Sequence, residues 1–168
     1  MLDRAFLTSR RALLGYFAVG LVVAGAAGIL VYPTSREFSA YNIDANHIAI
    51  HGYDPVAYFT EGQPMKGKSE FEYAWQDARW HFASAGNRDL FKANPDRYSP
   101  QYGGYCALGV SAGEYADINP EAWSIVDGKL FLNKTKEYTT VWDKAPEAYL
   151  KTANYNWDNN RNQLRDGF

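Results

Sequence analysis

The hydrophobic and polar positions of this chain change rhythm along its length. From Ala12 to Tyr32 an apolar run is broken by no charge. At ~1.5 Å of rise per residue, a helix of that length spans the ~30 Å hydrocarbon core of a bilayer. Arg10 and Arg11 stand just before it. Positive charge stays on the cytoplasmic side, so everything after Tyr32 is expected outside. Two fates are open to this helix: an uncleaved anchor, or a signal peptide cut at the small residues Ala24-Gly25-Ala26. Ser9-Arg10-Arg11-Ala12-Leu13-Leu14 also has the form of a twin-arginine export signal.

Past the polar linker from Pro33 to Ser39 the period shortens. Ile48 and Ile50 alternate with His47, Ala49 and His51, which predicts a half-buried strand over 46–51. Asp54 as cap and Pro55 at the first helical position predict a short helix reaching Phe59. Phe71, Tyr73 and Trp75, then Trp80 and Phe82, alternate with polar or small residues around the Gln76-Asp77-Ala78 turn and predict a hairpin. Ala85 to Ala93 reads as a helix ended by Asn94-Pro95, and 98–113 as an irregular loop. Trp123 to Leu132 is the clearest hairpin, because Asp127-Gly128 suits a type I′ turn. Two helical pieces flank Pro146 between Thr135 and Tyr155. The sum is an α+β fold: a small antiparallel sheet of hairpins with short helices packed on it, preceded by one N-terminal membrane or signal helix. The expected divisions are 1–38 for the signal or anchor with its linker, 39–157 for the folded domain and 158–168 for a polar tail. No internal repeat is evident.

Composition narrows the functions. With 17 basic and 19 acidic residues the net charge is -2. No basic stripe is present, so nucleic acid is excluded as a partner. The single cysteine, Cys106, cannot form an internal disulfide, and the fold must rest on its apolar core. Aromatic residues make up 16% of the chain, enough for that core and for a binding rim. There is no phosphate loop, no dinucleotide fingerprint and no nucleophile with a histidine and acid at motif spacing.

Four segments, in order, resemble the YHS domain family: Gly52-Tyr53-Asp54-Pro55-Val56-Ala57-Tyr58-Phe59, Trp80-His81-Phe82-Ala83-Ser84, Phe91 to Tyr98, and Tyr102-Gly103-Gly104-Tyr105-Cys106-Ala107. With the Trp123–Asn133 hairpin they are most similar to the exported bacterial branch of that family. The resemblance implies a link to metal handling, carried in the cysteine-bearing form by thiolates at the positions of Ala57, Ala83 and Asn87. None of these three is a thiolate ligand in this chain.

The remaining soft ligands are Cys106, His81 and His51, with His47 on the same expected strand face as His51. They are the candidate metal residues, for copper, zinc or nickel in an open site. Tyr53, Asp54, Tyr58, Tyr102, Gly103, Gly104 and Tyr105 are the candidates for a small ligand, because tyrosines at loop ends form amphipathic rims and a double glycine permits close approach. The expected function is a non-catalytic binding module on the periplasmic side of the inner membrane, tethered through residues 12–32 or released by cleavage. The alternatives are a ligand-free accessory subunit of a membrane partner and, last, a small redox enzyme using Cys106.

Overall fold

The computed structural model describes residues 23–25, 28–30 and 40–166. Within 12–32 it gives two three-residue strands, β1 (Val23–Gly25) and β2 (Gly28–Leu30), paired antiparallel. The apolar helix and export signal expected there otherwise lie outside the described residues. No helix among the described residues is long and apolar enough to cross a membrane.

From residue 40 onward the fold is α+β. In chain order it contains α1 (Ala57–Thr60), β3 (Lys68–Trp75), β4 (Ala78–Phe82), α2 (Ala85–Ala93) and α3 (Pro95–Tyr98). These are followed by α4 (Ala107–Ser111), β5 (Asn119–Val126), β6 (Lys129–Asn133), α5 (Lys136–Lys144) and α6 (Pro146–Asp166). Both predicted hairpins form: β3 pairs with β4 and β5 with β6, antiparallel, as two separate two-stranded sheets. Each turn takes two positive-φ residues, Gln76 and Asp77 in the first and Asp127 and Gly128 in the second, the type I′ geometry that matches strand twist. Three readings are corrected. Residues 46–51 form no strand: His47, Ile50 and His51 have φ of 62°, 41° and 58°, and the chain turns through a 3-10 segment at Ile50–Gly52. The stretch 98–113 is not all loop, since it holds a second 3-10 turn at Gln101–Gly104 and α4. The polar tail continues α6 as far as Asp166.

The chain also contains a repeat that its residue identities conceal. β3, β4, α2 and α3 begin at 68, 78, 85 and 95, while β5, β6, α5 and α6 begin at 119, 129, 136 and 146, each 51 residues later. The register slips at the same place in both hairpins, between Lys68 and Glu72 and between Asn119 and Trp123. Ser84 caps α2 by accepting Asn87 N–H at 3.1 Å, and Thr135 caps α5 by accepting Tyr138 N–H at 3.2 Å. Phe91 tilts against Trp80 with ring centroids 5.1 Å apart, and Trp142 against Phe131 at 4.9 Å. Upstream the interval is one residue longer, so that Gly52-Tyr53-Asp54 corresponds to Gly104-Tyr105-Cys106. There Asp54 N–H bonds Met65 C=O at 2.9 Å and Cys106 N–H bonds Ala116 C=O at 3.0 Å. The backbone before each motif has three successive positive φ values, Ile50, His51 and Gly52 in one and Tyr102, Gly103 and Gly104 in the other. The domain is thus built from two rounds of one turn–hairpin–helix unit.

Strand alternation makes β6 the wall between two cores. Leu130 and Leu132 join Ile50, Tyr58, Trp80, Phe82 and Phe91 in the first. Phe131 points the other way, to Trp142, Tyr102, Val110 and Ala153.

Candidate functional site

Asp54 sits at the start of α1, wholly buried, with a carboxylate that is fully engaged. Its Oδ1 accepts Val56 N–H at 2.8 Å and Ala57 N–H at 3.3 Å. Its Oδ2 accepts Ala83 N–H at 2.8 Å and Asn87 Nδ2–H at 2.6 Å. The helix cap expected from sequence is therefore also a tie between α1, the end of β4 and the start of α2. Ala57, Ala83 and Asn87 are the positions where the resemblance implies thiolates, and the fold does bring them together, around this carboxylate. The donors present are N–H groups, which satisfy a buried anion and repel a cation. These residues do not fit a thiolate-bound metal.

Cys106 plays the matching part in the second unit. Its Sγ is buried, accepts Gly109 N–H at 3.4 Å and Lys134 N–H at 3.3 Å, and donates to Asn133 Oδ1 at 3.7 Å. Lys134 follows β6 as Ala83 follows β4, so Asp54 and Cys106 fasten equivalent joints. Such a thiol faces no solvent and no other soft ligand.

The double glycine makes room for the protein's own chain. Gly103 packs directly on Ala40 C=O, and its own carbonyl accepts Asn42 N–H at 2.8 Å. A Cβ at Gly104 would lie 2.6 Å from Ile50 Cγ2. Tyr58 and Tyr102 are buried, with hydroxyls donating to Pro120 C=O at 3.0 Å and Asn154 Oδ1 at 2.9 Å. Burial pushes both phenols well above their ordinary range. Tyr53 and Tyr105 are half-buried. Burial raises the Tyr105 phenol too, helped by the negative charge of Asp117.

One polar face remains open, between the two Gly-Tyr motifs. His51 Nε2–H donates to Asp117 Oδ1 at 2.8 Å, and both side chains are exposed, at 40% and 65%. Asp117 Oδ1 also accepts Asn42 Nδ2–H at 2.9 Å and Ile118 N–H at 2.8 Å. Burial alone pushes the Asp117 carboxyl up, but the donors Asn42, Ile118 and His51 together hold it below its ordinary value. Lys66 lies over the Tyr53 ring, 4.9 Å from its centroid, and donates to His51 C=O. Beside them His81 Nε2–H donates to Glu72 Oε2 at 3.0 Å, which Arg79 also meets at 2.7 Å. Arg79 chiefly, then His81, hold Glu72 below the usual carboxylate range against the opposing effect of burial. A Cβ on Gly52 would lie 3.4 Å from His81 Nδ1 and 3.7 Å from Lys66 Nζ, so the His51 and His81 clusters adjoin across this glycine.

Of the three expected metal residues, His51 is exposed, His81 is buried next to it across Gly52, and Cys106 lies apart in the core. Among the described residues no three His, Cys, Asp or Glu side chains form a group able to hold a metal ion. The sequence reading missed Asp117, Asn42 and Lys66. Asp117 follows a half-buried Tyr-Ala pair in an irregular stretch and gave no periodic signal; only the match of Met65 to Ala116 between the two units would have pointed to it.

Comparison with known proteins agrees with this frame. Residues 56–102 match the family model of the YHS domain, a stretch running from α1 through the first hairpin to the second 3-10 turn. Over that stretch the chain is similar to the YHS domain, the family that its motifs resemble. No curated protein and no solved structure matches it.

Proposed function

We propose that this chain is a non-catalytic binding module that takes a divalent transition metal ion at an open surface site, with the His51 imidazole and the Asp117 carboxylate as its protein ligands. The observation that carries the reading is the backbone of His51. Its φ of 58° and ψ of 23° lie in the left-handed region, where a side chain costs about 1–2 kcal/mol. The equivalent residue of the second unit is Gly103, which adopts that region freely. A histidine held there, exposed and hydrogen-bonded to a carboxylate, puts an imidazole nitrogen and a carboxylate oxygen side by side, where an ion replacing the proton they share would meet both. Two protein ligands leave the other positions to solvent, so the site is weak; imidazole and carboxylate suit zinc, copper or nickel. Cys106 stays outside the ligand set because its sulfur is sealed and hydrogen-bonded, which also counts against a Cys106-dependent enzyme.

Calorimetric titration of the full chain with Zn²⁺, Ni²⁺ and Cu²⁺ tests this. One equivalent is expected to bind, weakly, with binding lost in His51→Ala, reduced in Asp117→Ala and kept in Cys106→Ala. Loss in Cys106→Ala with retention in His51→Ala would overturn it.

The apolar run 12–32 and the arginines before it support export, with the domain on the periplasmic side of the inner membrane. A reporter active only outside the cytoplasm, fused after Phe168, is expected to be active, and an inactive fusion that accumulates would refute export.

A further inference from the structure

Three buried side-chain polar atoms have no partner among the described residues: Ser124 Oγ, Asn133 Nδ2 and Trp142 Nε1. Buried donors are almost always satisfied, so each calls for an explanation. The fold sets them around one ring. Ser124 is paired with Phe131 across the β5–β6 ladder, and Asn133 lies two residues along β6 on the same face. Trp142 packs on Phe131 from α5 at 4.9 Å. Asn133 cannot turn its amide round to gain a partner, because its Oδ1 already accepts Leu108 N–H at 3.1 Å.

The first unit fills these positions with three aromatic rings. Its equivalents are Tyr73, Phe82 and Phe91, whose rings touch: Phe91 lies 6.4 Å from Tyr73 and 5.2 Å from Phe82. In the second unit all three contacting positions carry a polar atom, where the first has only the Tyr73 hydroxyl, and two of them are on much shorter side chains. Val126 likewise stands where the first unit has Trp75. At Ser124 and Asn133 hydrocarbon has been removed, and at Asn133 and Trp142 a donor stands where the first unit has a plain phenyl ring.

We propose that the second unit encloses a site for a small hydrogen-bond acceptor, bound by Trp142 Nε1–H, Asn133 Nδ2–H and Ser124 Oγ–H. The indole and the amide nitrogen only donate, so the occupant must offer lone pairs, and the space left by shortened side chains admits no apolar bulk. Internal water and a monovalent anion such as chloride share that chemistry. The site lies on the opposite face of β6 from Leu130 and Leu132 and is independent of the His51 surface.

The test is nitrogen-15 NMR of the full chain, solubilised, observing the Trp142 indole and the Asn133 side-chain amide. Water is expected to give long-lived magnetisation transfer to both groups. If chloride is the occupant, bromide exchange shifts these two signals and few others. Neither effect at either group would overturn the proposal. Ser124→Ala, nearly isosteric, gives a second reading: it lowers the melting temperature if the hydroxyl holds an occupant and raises it if the hydroxyl is a true orphan. A rise would also overturn the proposal.

Discussion

His51 and Asp54 stand three positions apart and answer to different demands. At His51 the backbone favours glycine and the sequence supplies an imidazole, so His51→Gly removes about 1–2 kcal/mol of left-handed strain while adding about 0.5–1 kcal/mol of unfolded-state entropy. Its exposed bond to Asp117 adds little to stability. The variant is expected to melt no lower than the natural chain while losing metal binding; a clear loss of stability in a thermal scan would mean that the imidazole is structural. Asp54 is the reverse case. Removing a buried carboxylate that serves four donors leaves them unmet, so Asp54→Ala is expected to cost about 3 kcal/mol or more in urea unfolding. Asp54→Asn is costly as well, since it turns an N–H towards Ala83 N–H or Asn87 unless the amide reverses and meets the donors of α1. Glu72 is one of the carboxyls that shape the response to acid. Its folded value is held below the ordinary one, so the stability it contributes is complete above its unfolded value and disappears as pH falls through the folded one. Glu72→Gln should therefore flatten the acid limb of the stability curve below the ordinary carboxylate range, which unfolding measured from pH 6 down to 3 checks.

Elements were far more legible in the sequence than the residues that bind between them. Alternation located both hairpins, and the Asn94-Pro95 stop ended α2 correctly, because strand period and proline act locally. The strand expected over 46–51 failed because alternation cannot report backbone sign: a tight turn of positive φ buries the consecutive pair Ala49 and Ile50 in the core and leaves Ile48 half-buried. The repeat escaped notice for a related reason. What recurs is burial, capping and turn handedness, while the identities shared at equivalent positions are few, such as Glu70 with Glu121, Pro95 with Pro146 and Tyr98 with Tyr149. Equivalent joints should respond alike. Ser84→Ala and Thr135→Ala each remove a cap bond of nearly equal length, Thr135→Ala also the hydroxyl's bond to the exposed Glu137, and are expected to cost about 1 kcal/mol each in chemical denaturation. Costs that differ several-fold would show that the two helix starts carry different loads.

For the whole molecule, the two units divide the labour that the YHS motifs alone appear to assign to one place. The positions implied for thiolates do converge, as the resemblance led one to expect, yet a hydrogen-bonded carboxylate fills that junction in the first unit and a sealed thiol fills its counterpart in the second. The candidate metal set read from sequence was dispersed for that reason: Cys106 belongs to a joint, His81 is buried against Glu72, and only His51 belongs to the surface between the Gly-Tyr motifs. Spacing along the chain could not separate the two, since only the fold carries Asp117 back to His51 across the 66 residues that divide them. The most direct measurement is long-range nitrogen-15 NMR of the imidazoles of His47, His51 and His81 in the full chain as Zn²⁺ is added, with the Cys106 Cβ followed in the same sample. The account predicts that the His51 ring nitrogens shift or broaden first and that Cys106 does not move. Zinc that shifts the Cys106 Cβ, or that leaves His51 unperturbed at saturation, would contradict it.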